Sequence, residues 1–248
     1  MKKRNSTMKQ IIIFFILFLA GTAMAQAEQT IFLATADGPP LSKPDNTGFH
    51  DKIILEIFLR IGIRAQILHL PAERALINAD SGIEEGVFVR VAGMEKLYPN
   101  LVHVPEKITD YEFTAFTKHP NMVINGWESL KPYSVGIITG WKILENNIRD
   151  TKELLKVETP EQLFGVLDTD RVDLIIYNRY DGYGVLKQLN LKHIRLIEPP
   201  LASREMFLYL NTKRKNLVVP LTEALRAIKQ DGTYQRLFTE IIHPLIPN

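Results

Sequence analysis

Apolar positions recur three to four residues apart along residues 48–62 (GFHDKIILEIFLRIG), where Phe49, Ile53, Ile57 and Ile61 align with Ile54 and Phe58 beside them. One face is apolar, so the spacing predicts a helix, with Gly62 as its stop. Before it, residues 30–36 (TIFLATA) form a short β-prone run ended by the turn-forming Asp37-Gly38-Pro39-Pro40. After it, residues 64–70 alternate, Pro71 opens a second helix over 72–79, and residues 86–91 read as a strand. The order is βαβαβ.

The second half repeats that rhythm. Residues 133–138 (YSVGII) predict a strand running into Thr139-Gly140-Trp141, followed by a helix over 142–148. Thr159-Pro160-Glu161-Gln162 combines an N-cap hydroxyl, proline at the first helical position and glutamine at the capping-box position, opening a helix through Leu167. Residues 172–177 (VDLIIY) predict a buried strand, and helix-prone sequence resumes around 184–189. Residues 194–197 and 204–210 read as two more strands. The chain ends in helices over 218–230 and 234–242, the first stopped at Asp231-Gly232. Strands alternating with helices imply an α/β fold with a mostly parallel sheet in each half. The halves share a rhythm but no sequence repeat.

The longest apolar run lies outside this pattern. Residues 11–20 are uninterruptedly apolar, preceded by Lys2, Lys3, Arg4 and Lys9 and followed by Ala23-Met24-Ala25, with Ala25-Gln26-Ala27 as a second cleavage option. That is the three-part pattern of a cleavable export signal over residues 1–25. A membrane anchor is the alternative, but about ten apolar residues fall short of the ~20 needed to span a bilayer. Export changes the charge balance. The chain carries 30 Lys and Arg against 28 Asp and Glu, and removing the four basic residues of the signal leaves 26 against 28. A mildly acidic chain without a clustered basic face carries no nucleic-acid footprint. Cysteine is absent, which removes disulfides, thiol nucleophiles, Cys metal sites and lipid attachment through a Cys after the signal. The expectation is a free, monomeric protein of the periplasm, with no metal and no cofactor.

Several motifs in order then resemble a known family. The Pro40-Leu41 loop precedes Gly48-Phe49-His50-Asp51 at a helix start. LKPYSVGIIT occupies residues 130–139, DRVDLII residues 170–176, and Asp231-Gly232-Thr233-Tyr234 a helix junction near the end. Over essentially the whole chain after the signal, these resemble the family 3 periplasmic solute-binding proteins, two-lobed receptors typified by those for polar amino acids. The resemblance implies a two-lobed periplasmic-binding-protein fold of type II. It implies a discontinuous first lobe over 28–115 and 204–248 and a second lobe over 116–203. Strands near 112–117 and 205–210 would cross between lobes as the hinge, and a ligand in the cleft would draw the lobes together. Such ligands collect beyond the carboxyl ends of strands.

The candidate ligand-binding residues are Pro40, Arg74, Arg90, Thr139, Gly140, Trp141, Asn178 and Tyr180. Arg90 ends a strand that otherwise reads Gly-Val-Phe-Val, an odd place for a guanidinium unless it enters a cleft, where its planar fork suits a carboxylate or phosphate. The alternative is an ion pair with Glu84 or Glu85. Arg74 faces the same choice, with Glu73 or Asp80 as partner. Thr139-Gly140-Trp141 between strand and helix offers backbone N–H groups to an anion, and Trp141 a stacking face. Phe49 reads as core. In amino-acid receptors of the family an Asp follows the VDLII-like strand and binds the ligand ammonium. Here that position is Asn178, with Asp181 as a possible substitute, and the family's Thr-x-x-Arg carboxylate clamp is replaced by Gly93-Met94-Glu95-Lys96. An ordinary α-amino acid is therefore disfavoured as ligand.

Catalytic motifs are absent: no HExxH, no Gly-x-Ser-x-Gly and no Walker glycine loop. His50, His69, His103, His119, His193 and His243 have no ligand spacing and read as surface or loop residues, while Glu84, Glu85 and Glu153 read as solvated charges. The expected function is capture of a small polar, anionic solute and its delivery to an inner-membrane partner, an ABC permease or a sensor, rather than catalysis. The alternatives are a receptor that signals without transport and an enzyme resembling cyclohexadienyl dehydratase, for which Glu73 is the one acid placed near the cleft.

Overall fold

The computed structural model describes residues 30–246, so the export signal read at residues 1–25 lies outside the described residues. Nine strands are formed among them: β1 (Thr30–Thr35), β2 (Arg64–His69), β3 (Gly86–Val91), β4 (Leu101–His103), β5 (Thr109–Thr117), β6 (Ser134–Ile138), β7 (Glu153–Val157), β8 (Leu174–Asn178) and β9 (Arg195–Asn211). The helices are α1 (Phe49–Arg60), α2 (Ala72–Ser81), α3 (Lys142–Asn147), α4 (Pro160–Asp168), α5 (Arg179–Gln188), α6 (Val218–Gln230) and α7 (Thr233–Ile241). The strands lie in the order β2-β1-β3-β9-β5-β8-β6-β7, with β4 paired to β9.

In the first lobe β1 and β3 are parallel and β9 closes the sheet antiparallel to β3. Helices cover both faces. Ile53, Ile57 and Phe58 of α1 join Leu221 and Leu225 of α6 beneath one face, over Leu33, Phe88 and Leu208. Ala75, Leu76 and Ala79 of α2 pack on the other, over Ala34, Val87 and Tyr209. In the second lobe β8, β6 and β7 run parallel, with β5 antiparallel beside β8. There α4 and α5 bury Leu163, Phe164 and Leu186 on one side, and α3 buries Leu144 on the other. The alternation of strand and helix produced these layers because each sheet face must be covered by an apolar stripe.

β5 and β9 are the two strands that pass between the lobes. They pair from Thr109↔Met206 to Phe113↔Ala202 and again from Ala115↔Ile197 to Thr117↔Arg195. Residues 194–197 and 204–210, read separately from sequence, therefore fall, but for Ile194, in one strand of 17 residues, Arg195–Asn211. The interruption between them is local: residues 198–201 all face Thr114, and Pro199 and Pro200 have no N–H to give a ladder.

Local signals explain the element boundaries. Thr159 accepts from Gln162 N at 3.2 Å while Gln162 Oε1 accepts from Thr159 N at 3.3 Å, the capping box expected at α4. Helix α5 begins at residue 179, ahead of the predicted 184, because Asn178 Oδ1 accepts from Tyr180 N and Asp181 N, each at 3.1 Å. Strands β4 and β7 escaped the sequence reading. β4 has three residues, and β7 is an edge strand whose ELLKV pattern is only half apolar.

Gly182 on α5 lies against the buried Phe116 ring, where an added Cβ would come within 2.2 Å of ring carbon Cζ. Gly182→Ala is therefore expected to destabilise the protein by about 1–3 kcal/mol. A lower urea midpoint with an unchanged m-value would register it.

Candidate functional site

Strand β3 places Arg90 through a defect in its own pairing. Val87 pairs with Tyr209 and Arg90 with Phe207, so Phe88 and Val89 share Leu208 as their single opposite residue. Val89 takes φ 59°, a left-handed conformation that costs a β-branched residue of the order of 1–3 kcal/mol. Strict alternation would put Arg90 on the face of Phe88, inside the α1 core. The bulge leaves Phe88 and Val89 both in that core and turns Arg90 to the opposite face, where it reaches the start of α2. Bulges re-aim side chains in this way.

Arg90 is poorly satisfied where it arrives. Its Nη2 donates to Ala72 O at a long 3.5 Å, and Nε is buried with no hydrogen-bond partner among the described residues. Neither expected partner pairs with it: Glu85 is bound to Arg214 at 3.2 Å, and Glu84 is buried with Oε2 unpartnered. The reading of Glu84 and Glu85 as solvated charges fails, because Glu84 is buried and Glu85 accepts from Phe32 N and pairs with Arg214. Burial lowers the pKa of Arg90 from its usual value, with Asp37 opposing that shift. A desolvated cation without a paired carboxylate is stabilised by any opposite charge brought beside it.

A cavity of about 450 Å³ lies against Arg90, lined also by Asp37, Tyr111, Phe113, Gly140, Trp141 and Met206. It draws on both lobes and on both connecting strands. A second cavity of about 510 Å³ shares Val91, Phe113 and Ile143 with it and continues toward Arg204 and Glu205. Trp141 forms a fixed wall. Its ring stacks on Tyr177 with centroids 4.9 Å apart and planes at 13°, and meets Phe113 edge-on at 5.7 Å.

Asp37 follows β1 and brings a polar group that the sequence reading took for part of a turn. Its Oδ2 lies 2.5 Å from His50 Nδ1, and its Oδ1 accepts from Tyr111 at 3.2 Å. His50 is fully buried, which corrects its reading as a surface or loop histidine. The loop that carries Asp37 is tied down by Asp51, which accepts from Ser42 Oγ at 2.5 Å, Lys43 N at 2.7 Å and Gly48 N at 3.0 Å. Only the position of Asp37 beyond the carboxyl end of a strand signalled a site role.

The remaining candidates separate. Thr139 is exposed and does not line the cavity; its N and Oγ1 both bond Val157 O, at 2.8 and 3.1 Å. Gly140 N donates to Glu145 at 3.3 Å, so the expected anion corner is filled by the protein's own carboxylate at the start of a six-residue helix. Pro40 is buried against α5, where a Cβ on Gly184 would lie 2.7 Å from Pro40 Cδ. Asn178 caps α5 and is buried outside the cavity. Tyr180 packs edge-on against Phe238 at 5.5 Å and lines a separate cavity with Lys107, Lys229 and Tyr234. Arg74 is exposed and lies outside the Arg90 cavity. Its expected partners are engaged elsewhere, Glu73 by Tyr98 at 3.2 Å and Asp80 by Asn100 N at 2.8 Å. The acid that lines the Arg90 cavity is Asp37 rather than Glu73.

Replacing Arg90 with an apolar side chain of similar length removes an unsatisfied buried donor. Arg90→Met is expected to raise the stability of the unliganded protein by about 1–3 kcal/mol, read from chemical denaturation. A loss of stability would mean that the Arg90 guanidinium is structural.

No family model matches the chain. An uncharacterized protein of Shewanella oneidensis MR-1 is 26% identical over 255 residues, covering 95% of each chain. Among solved structures, the GluR0 ligand-binding core complexed with L-glutamate superposes with a TM-score of 0.75 at 8% identity, over 87% of this chain and 99% of that one. A histidine kinase sensor domain similar to periplasmic binding proteins gives 0.70 at 15% identity, over 87% and 97%. The substrate-binding protein of an amino acid ABC transporter gives 0.65 at 18%, over 86% and 99%. Among the described residues no helix is long and apolar enough to cross a membrane. The chain has the two-lobed α/β fold of the periplasmic solute-binding proteins.

Proposed function

We propose that this protein is a periplasmic receptor that captures a small anionic solute between its lobes and presents it to a membrane partner. The observation that carries the reading is Arg90, a partly buried guanidinium facing an interlobe cavity with its Nε unpartnered. Its fork would take the carboxylate or phosphate group, Trp141 and Phe113 would flank the body of the solute, and lobe closure would exclude water from the pair. We assign residues 28–115 with 204–248 to the first lobe and 116–203 to the second. The neighbours in fold include a transporter's binding protein and a kinase's sensor domain, and a permease and a sensor both suit a closed lobe pair as partner. Delivery to a transporter is the reading we favour.

An enzyme on the same scaffold is the second reading, and Asp37 is the observation that favours it. It is a carboxylate on the cavity wall with His50 Nδ1 2.5 Å behind it, the kind of pair that can exchange a proton with a bound molecule. Conversion of a bound solute would establish it.

The test is calorimetric titration with the tightest binder from a panel of carboxylates, dicarboxylates, phosphates and amino acids. Arg90→Ala should weaken that binding by about 10- to 100-fold, the loss of a charge-assisted hydrogen bond. Arg74→Ala should leave it unchanged. Equal affinities for the wild type and Arg90→Ala would refute the site.

A further inference from the structure

Two carboxyl groups from different lobes meet on one hydroxyl. Tyr111 Oη, on β5, lies 2.7 Å from Asp181 Oδ2 and 3.2 Å from Asp37 Oδ1. A tyrosine hydroxyl has a single hydrogen. It can serve one of two ionised carboxylates, and the other would face both a lone pair and a like charge in a dry interior. The arrangement needs one additional proton.

The surroundings say where it resides. Asp37 also has His50 Nδ1 at 2.5 Å, and Arg90 stands on the same cavity wall. Asp181 has neither a histidine nor an arginine beside it: its Oδ1 is buried without a partner, and burial next to Asp37 raises its pKa well above the ordinary carboxyl range, with the Tyr111 hydrogen bond opposing that shift. The groups facing it are Asp37 from the β1–α1 loop, Tyr111 from β5 and Tyr177 from β8. On its own helix Arg179 is turned away to Glu112 and Glu198. The order that satisfies the donors runs from Asp181 Oδ2–H to Tyr111, from Tyr111 O–H to Asp37 Oδ1, and from His50 Nδ1–H to Asp37 Oδ2.

The same seam holds a second contact one helical turn along α5. Gly184 follows Asp181 by three residues and receives Pro40, which follows Asp37 by three. Loop and helix thus meet at two matched points, one polar and one tightly packed.

We propose that this seam is a proton-gated latch: it closes with Asp181 protonated, and loss of the proton sets two carboxylates on the Tyr111 hydroxyl and parts the lobes. Where closure captures a solute, which rests on the reading above, binding takes up a proton and weakens as pH rises. The native state holds a proton that an unfolded Asp releases. The latch therefore contributes fully below the unfolded value of about 3.9 and is lost as pH rises through the elevated native value.

The test uses ligand-free protein, so it stands apart from the fate of the Arg90 site. Small-angle X-ray scattering and urea denaturation are run over the pH range above the ordinary carboxyl value, and because histidines also titrate there the comparison with Asp181→Asn isolates the Asp181 proton. The wild type should expand with rising pH and lose up to about tenfold in its folding constant per pH unit. Asp181→Asn, whose amide donates to Tyr111 as the acid does, should stay compact, with that slope removed. The same expansion and the same slope in both proteins would overturn the proposal. Should the variant fail to fold, infrared spectra of the wild type decide. The carbonyl band of a protonated carboxyl must disappear in step with the expansion, and its absence at the lower pH overturns the latch.

Discussion

Everything in this molecule hangs on the antiparallel pairing of β5 with β9. The two strands are the continuation of both sheets at once, so each lobe is built outward from one shared ladder. Tyr111 and Phe113 of β5 and Met206 of β9 reach the cavity from that ladder, which is why the cavity belongs to both lobes. The ladder is interrupted only opposite Thr114, where residues 198–201 bulge out. A change in lobe angle must be absorbed by a few residues of that kind, and the unpaired stretch is where the backbone is free to do it.

A second departure from regular pairing, the bulge at Val89, turns the Arg90 side chain toward the cavity. The protein accepts a strained φ at Val89 and an unsatisfied guanidinium at Arg90, two costs that packing alone does not explain. Features that break local rules without local compensation mark functional positions in otherwise consistent sequences. The seam beside the cavity has the same character. Four buried polar side chains, His50, Asp37, Tyr111 and Asp181, occupy space that aliphatic groups would fill at lower cost, and each touches the next.

The fold was largely legible because its signals are local. Four-residue apolar spacing marks α1, the capping box marks α4, and the strand–helix rhythm sets the layers. Arg90 was legible for the same reason, as a charge ending an apolar strand. What it does there was not, since alternation assigns it to the wrong face and the bulge that corrects this depends on pairing with a strand more than a hundred residues away. Asp37 looked like a turn residue and His50 like a surface or loop histidine, because folding alone brings His50 and Tyr111 of β5 onto the Asp37 carboxylate. Thr139-Gly140 looked like an anion corner because the sequence does not reveal that Glu145 folds back onto it. Tyr180 sits two residues from Asn178 but packs on Phe238 and lines a separate cavity, a matter of helix rotation that began with the Asn178 cap.

The central claim is that the Arg90 guanidinium is held unsatisfied for an anionic solute. The most direct measurement is the nitrogen NMR signal of Arg90 Nε–H, assigned by its disappearance in Arg90→Lys, followed as a binding solute is added. The account requires a large, saturable shift of that signal, in proportion to solute bound. A solute that saturates the protein and moves other signals while leaving Arg90 Nε–H in place would contradict it.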